Sequence, residues 1–331
     1  MLDSRLLLAL NGGGLNWPEE GKIAVFAPSA DLDLDGIPRD RAEIIHDFYP
    51  AYAAWRARDY NVAIKAEGRY AAALVCLPRS KVEARALIAM ACALSDGIVM
   101  IDGQKIDGVE GILKAMRGRV TVHGPVTKAH GKLFWVQEPV ADQFADWASG
   151  PELKDGGFWT APGVFSADGV DLASALLADA LPAKLGKQVC DLGAGWGFLS
   201  AHVLQRENIE AVHLVEANHV ALECARRNVT DPRAEFHWAD GTDWAPTHKI
   251  DTVVMNPPFH VGRAAEPQIG QAFVASAARL LTPQGHLWMV ANRHLPYEAE
   301  LRTRFIQVDE VGSDARFKLF HASRPLRKRR E

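Results

Sequence analysis

The stretch from Val189 to Ser200, Val-Cys-Asp-Leu-Gly-Ala-Gly-Trp-Gly-Phe-Leu-Ser, constrains this chain more than any other. A short apolar run of Val189, Cys190 and Leu192 reads as a buried strand. Three glycines follow at alternate positions, Gly193, Gly195 and Gly197, and a helical pattern begins at once with Phe198, Leu199, Val203 and Leu204. Strand, glycine turn and helix in succession predict an α/β sheet with backbone N–H groups brought close to a ligand at the turn. Glycine permits positive φ and has no Cβ to hold a ligand off. Asp191, at the end of the strand, is placed to meet a cationic group. A tight βα turn that binds nothing is the plainer alternative, and the glycines alone do not separate the two.

The spacing discriminates between cofactors. A dinucleotide site wants G-x-G-x-x-G with a pyrophosphate on the helix N-terminus. Here the pattern is D-x-G-x-G-x-G, which resembles the first motif of class I S-adenosylmethionine (SAM) methyltransferases, where the loop cradles the methionine end of SAM.

A chain of 331 residues has the length for two domains and two buried cores. A net charge of −4 excludes a surface that attracts nucleic acid as a whole, so any such surface must be a local patch. The cysteines, Cys76, Cys92, Cys190 and Cys224, show no C-x-x-C spacing and lie in apolar runs. They read as reduced core residues in a cytoplasmic protein, and no metal is expected. No signal peptide or membrane-length apolar span is legible, since Leu6 to Leu10 is far too short.

In the first half, strands are expected at Ile23–Ala27, Ala72–Leu77 and Gly97–Ile101, with helices at Lys81–Ala93 and Val109–Met116 and a late antiparallel strand at Lys132–Val136. No glycine loop follows the first strand; the acidic segment Ser29–Gly36 stands there instead. The halves echo each other. Ala73-Leu74-Val75-Cys76-Leu77-Pro78 resembles Thr252-Val253-Val254-Met255-Asn256-Pro257, and late strands carry Leu133-Phe134 and Leu319-Phe320. An old duplication accounts for this, the first copy having lost its cofactor site. The Pro- and Gly-rich stretch from Gln137 to Gly157 marks the junction, giving domains at 1–150 and 151–331.

In the second half, Phe158 to Ser166 reads as a hydrophobic loop packed under the sheet or as a flap over a ligand, ahead of a helix at Asp171–Leu181. A strand at Val212–Val215 ends at Glu216, twenty-five residues after Asp191. An acid there can accept both ribose hydroxyls, although a helix expected over Ala217–Arg227 also favours an acid at its start. The strand Glu235–Trp238 ends near Asp240, placed to accept from an adenine amino group or simply to cap a turn.

The fourth strand, Ile250–Met255, runs into Asn256-Pro257-Pro258-Phe259, the most specific signal in the chain. The prolines stiffen the backbone, and Pro257 pushes Asn256 out of the helical region. The Asn256 side-chain oxygen and a fixed carbonyl can then both accept from one planar NH2 group, while Phe259 offers a ring for a base to stack on. His260 reads as polar rim. A helix Pro267–Leu281, strands His286–Ala291 and Phe317–His321, and a basic tail (Arg324, Arg327, Lys328, Arg329, Arg330) complete the chain. The tail is either a solvated end or a set of phosphate contacts.

Together these motifs resemble the class I SAM-dependent N-methyltransferases. Pro-Gly-Val-Phe-Ser before the glycine loop and Asn292-Arg293-His294-Leu295-Pro296-Tyr297-Glu298 narrow the resemblance to the RsmC/RlmG group of ribosomal RNA guanine-N2 methyltransferases. Leu77-Pro78-Arg79-Ser80-Lys81 with Gly103 and Gly108 resembles that group's catalytically empty N-terminal domain. The resemblance implies two Rossmann-like domains in tandem, the second a seven-stranded SAM-binding sheet. It implies Phe165 near the cofactor with Asp191, Gly193, Gly195, Gly197, Glu216, Asp240 and Asn256, and Asn256 to Phe259 as the catalytic motif. The implied substrate is a guanine N2 amino group of ribosomal RNA, on the small-subunit side because chain length and the Lys81 region suit it, with the protein a monomer acting on RNA or the small subunit. Large-subunit RNA is the near alternative. A protein-glutamine or DNA-adenine N-methyltransferase, an NAD-dependent oxidoreductase and a non-catalytic RNA-binding module are the others.

Overall fold

Alternating apolar strands and amphipathic helices build two seven-stranded sheets, one in each of two compact units, Met1–Gly150 and Pro151–Glu331. The computed structural model describes residues 4–12, 14–139, 141–258, 260–261, 264–265 and 267–327.

The first unit runs α1 (Arg5–Gly12), β1 (Ile23–Phe26), β2 (Ala42–Ile45), α2 (Tyr49–Ala57), β3 (Asn61–Ala63), β4 (Ala72–Cys76), α3 (Lys81–Leu94), β5 (Val99–Gln104), α4 (Val109–Arg117), β6 (His123–Lys128) and β7 (Gly131–Val136). Its sheet has the order β3-β2-β1-β4-β5-β7-β6, with β7 antiparallel to both neighbours. Strands β2, β3 and β6 and helices α1 and α2 lie where the sequence reading placed no element.

The second unit opens with a short hairpin, β8 (Glu152–Leu153) and β9 (Trp159–Thr160). It continues with α5 (Leu172–Ala180), β10 (Gln188–Leu192), α6 (Phe198–Val203), β11 (Ala211–Glu216), α7 (His219–Asn228), β12 (Ala234–Trp238) and β13 (Ile250–Met255). The pair β14 (His260–Val261) and β15 (Ala264–Ala265) precedes α8 (Pro267–Leu280), β16 (Leu281–Asn292), α9 (Tyr297–Arg304), β17 (Phe305–Ser313) and β18 (Phe317–Pro325). The order is β12-β11-β10-β13-β16-β18-β17, strand for strand that of the first unit. The sequence echo between the halves is thus an echo of topology, and the tandem Rossmann-like expectation stands.

Strand periodicity sends alternate residues of the second sheet to opposite layers. Val189, Val212, Leu214 and Val254 pack with α5, α6 and α7. Cys190, Leu192, Val215, Val253 and Met255 pack with α8 and α9. Gly270 of α8 makes room for α9, because a Cβ there would lie 2.0 Å from the Tyr297 hydroxyl.

Register explains why the first unit carries no site of the second kind. Asp191 pairs with Val254, two residues before Asn256; in the first unit Phe26 pairs with Val75, two residues before Leu77. Phe and Leu therefore stand where the second unit has Asp191 and Asn256. The segment after β1 is packed by protein: Trp55 Nε1 donates to the Pro28 carbonyl at 3.1 Å, and Arg58 Nη1 donates to the carbonyls of Ala30 at 2.9 Å and Leu32 at 3.1 Å.

Candidate active site

In an open parallel sheet the chain leaves neighbouring strands in opposite directions at one point, and the crevice there accepts ligands. That point lies between β10, which leads to β11, and β13, which leads to β16. The Asp191–Val254 register sets Gly193 and Asn256 beside each other at its mouth. Glu216 pairs with Trp238, so Asp240 follows two residues beyond that pair on the same edge. A cleft of about 380 Å³, including its open mouth, is lined by Phe165, Ser166, Asp171, Ser174, Gly193 to Trp196, Phe198, Leu199 and Asn256.

The glycine loop works differently from the expectation of N–H groups turned to a ligand. Gly193 and Ala194 donate to the Val215 carbonyl at 2.9 and 3.1 Å, Gly195 donates to Glu216 Oε2 at 2.8 Å, and Gly197 donates to the Ala194 carbonyl at 2.9 Å. The first three of these donors fasten the loop to the end of β11, and the fourth closes the loop on itself. What the loop offers a ligand is space: a Cβ on Gly195 would meet nothing within 4 Å. Gly197, at φ +89°, has a structural task, since its Cβ would lie 2.9 Å from Val229.

Three acids surround the loop. Asp191 is fully buried, and Oδ2 accepts from Ser200 Oγ at 2.6 Å while Oδ1 has no partner among the described residues. Burial pushes its carboxyl up to about 7, with the Ser200 bond opposing. Glu216 closes β11 and is half-buried; besides Gly195 it accepts from the Asn218 N–H at 2.7 Å. Burial raises its carboxyl too, the backbone N–H bonds opposing. It does not begin a helix: Asn218 caps α7, accepting from the Ala221 N–H at 2.8 Å, so the helix starts two residues later than periodicity implied. Asp240 Oδ1 accepts from Thr242 N and Oγ1 at 2.8 and 2.7 Å, a turn-capping role. Phe273 of α8 ties this turn to the loop, lying 3.3 Å from the Cβ position of Gly193 and 3.1 Å from that of Gly241.

Asn256 is held by one end. Its Nδ2 donates to Asp171 Oδ2 and to Ser174 Oγ, both at 2.9 Å. An ionised carboxylate only accepts, so the amide cannot flip, and Oδ1 is left as the acceptor. Asp171 is itself the cap of α5, accepting from the Ser174 N–H at 2.8 Å. Pro257 is buried and Pro258 exposed. Phe259 and Lys328 to Arg330 lie outside the described residues, as does the His260 side chain.

The segment ahead of the loop is packed against it and also lines the cleft, through Phe165 and Ser166. Ala161 and Val164 are buried against Trp196, Ala221 and Cys224, while the Phe165 side chain is 55% exposed. Trp196 Nε1 donates to the Phe165 carbonyl at 3.1 Å. Asn228 staples both pieces: Nδ2 donates to the carbonyls of Trp159 at 2.9 Å and Trp196 at 2.7 Å, and Oδ1 accepts from the Trp159 N–H at 2.6 Å. Sequence reasoning missed Asp171, Ser174, Trp196 and Asn228 as site residues. A polar Asp-x-x-Ser pair at a helix start signals only a cap, and Asn228 ends a helix far from any motif.

The sequence pattern of the methyltransferase small domain family matches residues 155–321. The chain belongs to that family. Within it, ribosomal RNA small subunit methyltransferase C of Hahella chejuensis is 30% identical over 68% of this chain and 69% of its own length. The protein of the same name from Alteromonas mediterranea is 24% identical over 92% and 95%. Ribosomal RNA large subunit methyltransferase G of Streptomyces avermitilis is 36% identical, over 48% of this chain and 43% of its own. A solved structure, the T. thermophilus 16S rRNA N2 G1207 methyltransferase (RsmC) in complex with AdoMet and guanosine, superposes with a TM-score of 0.75 and 25% identity, covering 93% of this chain and 90% of that one. These likenesses set the chain in the RsmC/RlmG group of methyltransferase small domain proteins.

Proposed function

We propose that this chain methylates the exocyclic N2 amino group of a guanine in small-subunit ribosomal RNA, using SAM, in the cytoplasm and as a monomer. The observation that carries the reading is the pairing of the Gly195 space with the fixed Asn256 amide on adjacent strand ends. The relatives that match over 86% and 92% of the chain are small-subunit enzymes by name, and the large-subunit matches span 48% to 69% of it, which favours the small subunit.

The residues fit SAM. Asp191 Oδ1 is a buried acceptor without a partner, Gly195 leaves room, and Glu216 and Asp240 offer acceptors along the strand ends. Gly193 to Gly197, Phe165 and Asp191 would hold the methionine part, with Glu216 at the ribose and Asp240 toward the adenine. When bound, SAM supplies a methyl group on a cationic sulfur. The chain's own part is positioning. Asn256 Oδ1 and the Pro257 carbonyl accept from the two N–H bonds of the guanine amino group, which directs its lone pair at the methyl carbon. The N–C bond forms as the S–C bond breaks, and the amino group loses one proton to water, so no base is required. Phe259 is the stacking partner for a guanine turned out of its strand. The first unit, lacking the site, contributes RNA contacts and stability.

The test is incubation of the protein with methyl-labelled SAM and, separately, small subunits, naked small-subunit RNA, large-subunit RNA, a glutamine-bearing release-factor-like peptide and adenine-containing DNA. N2-methylguanine in small-subunit RNA by mass mapping is the expected product; label in any other substrate alone overturns the reading.

A further inference from the structure

Outside the cleft, on the edge of the second sheet, three side chains converge without a charge to hold them together. His213 of β11 is the register partner of Glu235 on β12, and His237 follows Glu235 by two residues, on the same face. His213 Nδ1 lies 3.1 Å from His237 Nε2 and 3.2 Å from Glu235 Oε2, and His237 Nε2 lies 3.9 Å from that oxygen. On its far side, His213 Nε2 lies 3.3 Å from Gln188 Oε1, an acceptor for a proton carried on Nε2. Nδ1 is then a bare lone pair. One N–H···N bond from His237 accounts for the imidazole contact. It does not account for a carboxylate oxygen 3.2 Å from the same bare nitrogen, where two acceptors repel. A cation among the three atoms satisfies all of them.

We propose that His213, Glu235 and His237 bind a divalent zinc ion that cross-links the edge strand β12 to β11, with a fourth position open to water. Zinc takes imidazole and carboxylate at about 2.0–2.1 Å in tetrahedral sites, which places ligand atoms about 3.3 Å apart, close to the separations found here. The outer bond from Nε2–H to a carbonyl is the usual way a ligating imidazole is oriented. The ring of Trp244, tilted by 49° and 48° to the two imidazoles with centroids 5.6 Å from His213 and 4.9 Å from His237, shields the group. Its role is structural: both histidines sit three residues before an acid of the candidate site, Glu216 at the end of β11 and Asp240 two residues beyond β12. This departs from the absence of metal expected from the cysteines, which said nothing of histidines on neighbouring strands.

The experiment uses the full chain, stripped with chelator and titrated with zinc alone by calorimetry, with cobalt(II) as a visible-absorbing substitute. One zinc per chain is expected, with a raised Tm and intense low-symmetry cobalt absorption. His237→Ala should abolish all three, and Glu235→Gln should weaken zinc at least tenfold. Glu235 is about half exposed, so its variant keeps the fold. No binding by the unaltered protein overturns the proposal. So does binding of equal strength in both variants, which would put the ion elsewhere.

Discussion

Asn256 has its oxygen left to offer because its nitrogen is already committed to Asp171 and Ser174. Replacing Asn256 by Ala should lower single-turnover methyl transfer by roughly 10²-fold at saturating SAM, with SAM affinity nearly unchanged. Ser174→Ala frees one proton of the amide and should lower kcat several-fold with little change in Tm. Asp171→Ala should lower kcat further and also cost about 1 kcal/mol through the lost helix cap. Gly195 and Gly197 separate binding from folding. Gly195→Ala puts a methyl group into open space at a φ of +55°, and should weaken SAM at least tenfold, with a fall in Tm set by the left-handed backbone strain of about 1 kcal/mol. Gly197→Ala meets Val229 and should lower Tm by several degrees. Asp191 sets a pH dependence. Its carboxyl is held up to about 7 in the fold against about 3.9 in the unfolded chain. The folded state thus binds the proton more tightly, and ligand-free stability should fall as pH rises from about 4 toward 7, each unit of displacement being worth about 1.4 kcal/mol. Denaturant titrations of Asp191→Asn across that range should show the slope reduced by this group's share, the raised Glu216 carboxyl keeping part of the remainder. An unchanged slope would assign it to another group.

Elements with an uninterrupted period were legible: α3, β4, β10, β13 and α8 lie within a residue or two of their expected bounds. Those that escaped carry a charge or an edge. Strand β2 contains Glu43, which breaks its apolar run; the fold buries that carboxylate with bonds from Tyr70 Oη at 2.6 Å, Lys22 Nζ at 3.1 Å and Asn61 Nδ2 at 2.8 Å, partners spread through the sequence. Strand β17 lies at the sheet edge and exposes most of its residues, so burial leaves little pattern to read. The acids and glycines of the site were visible because they sit at strand ends in fixed spacing. The groups around them were not, because Asp171 reaches the cleft, and Asn228 reaches the backbone of Trp196, only through tertiary packing. Two variants test this level. Asn228→Ala should release the Trp159–Phe165 segment from Trp196 and weaken SAM several-fold. Gly270→Ala should drive α8 off Tyr297 and cost about 1–3 kcal/mol, measured by urea unfolding.

The described residues form two seven-stranded sheets of one order, with the candidate cofactor cleft on the second. Calorimetry should give one SAM per chain; two would mean that the packing around Trp55 and Arg58 yields to ligand. No helix among the described residues is long and apolar enough to cross a membrane. With a net charge of −4, RNA affinity must come from local basic groups, and removal of Arg327 to Glu331 should flatten the salt dependence by about 0.7–0.9 units per lost phosphate contact. The strand order has a consequence for synthesis. In each unit the last strand to leave the ribosome is not laid on the rim but slotted inside: β7 between β5 and β6, β18 between β16 and β17. Growth from the N-terminus therefore leaves β17 with no seat until β18 arrives, while the first sheet is complete once residue 136 is made. A premature stop shortly before Phe317 would remove the keystone of the catalytic sheet and strand its neighbour, yet leave a finished first domain behind.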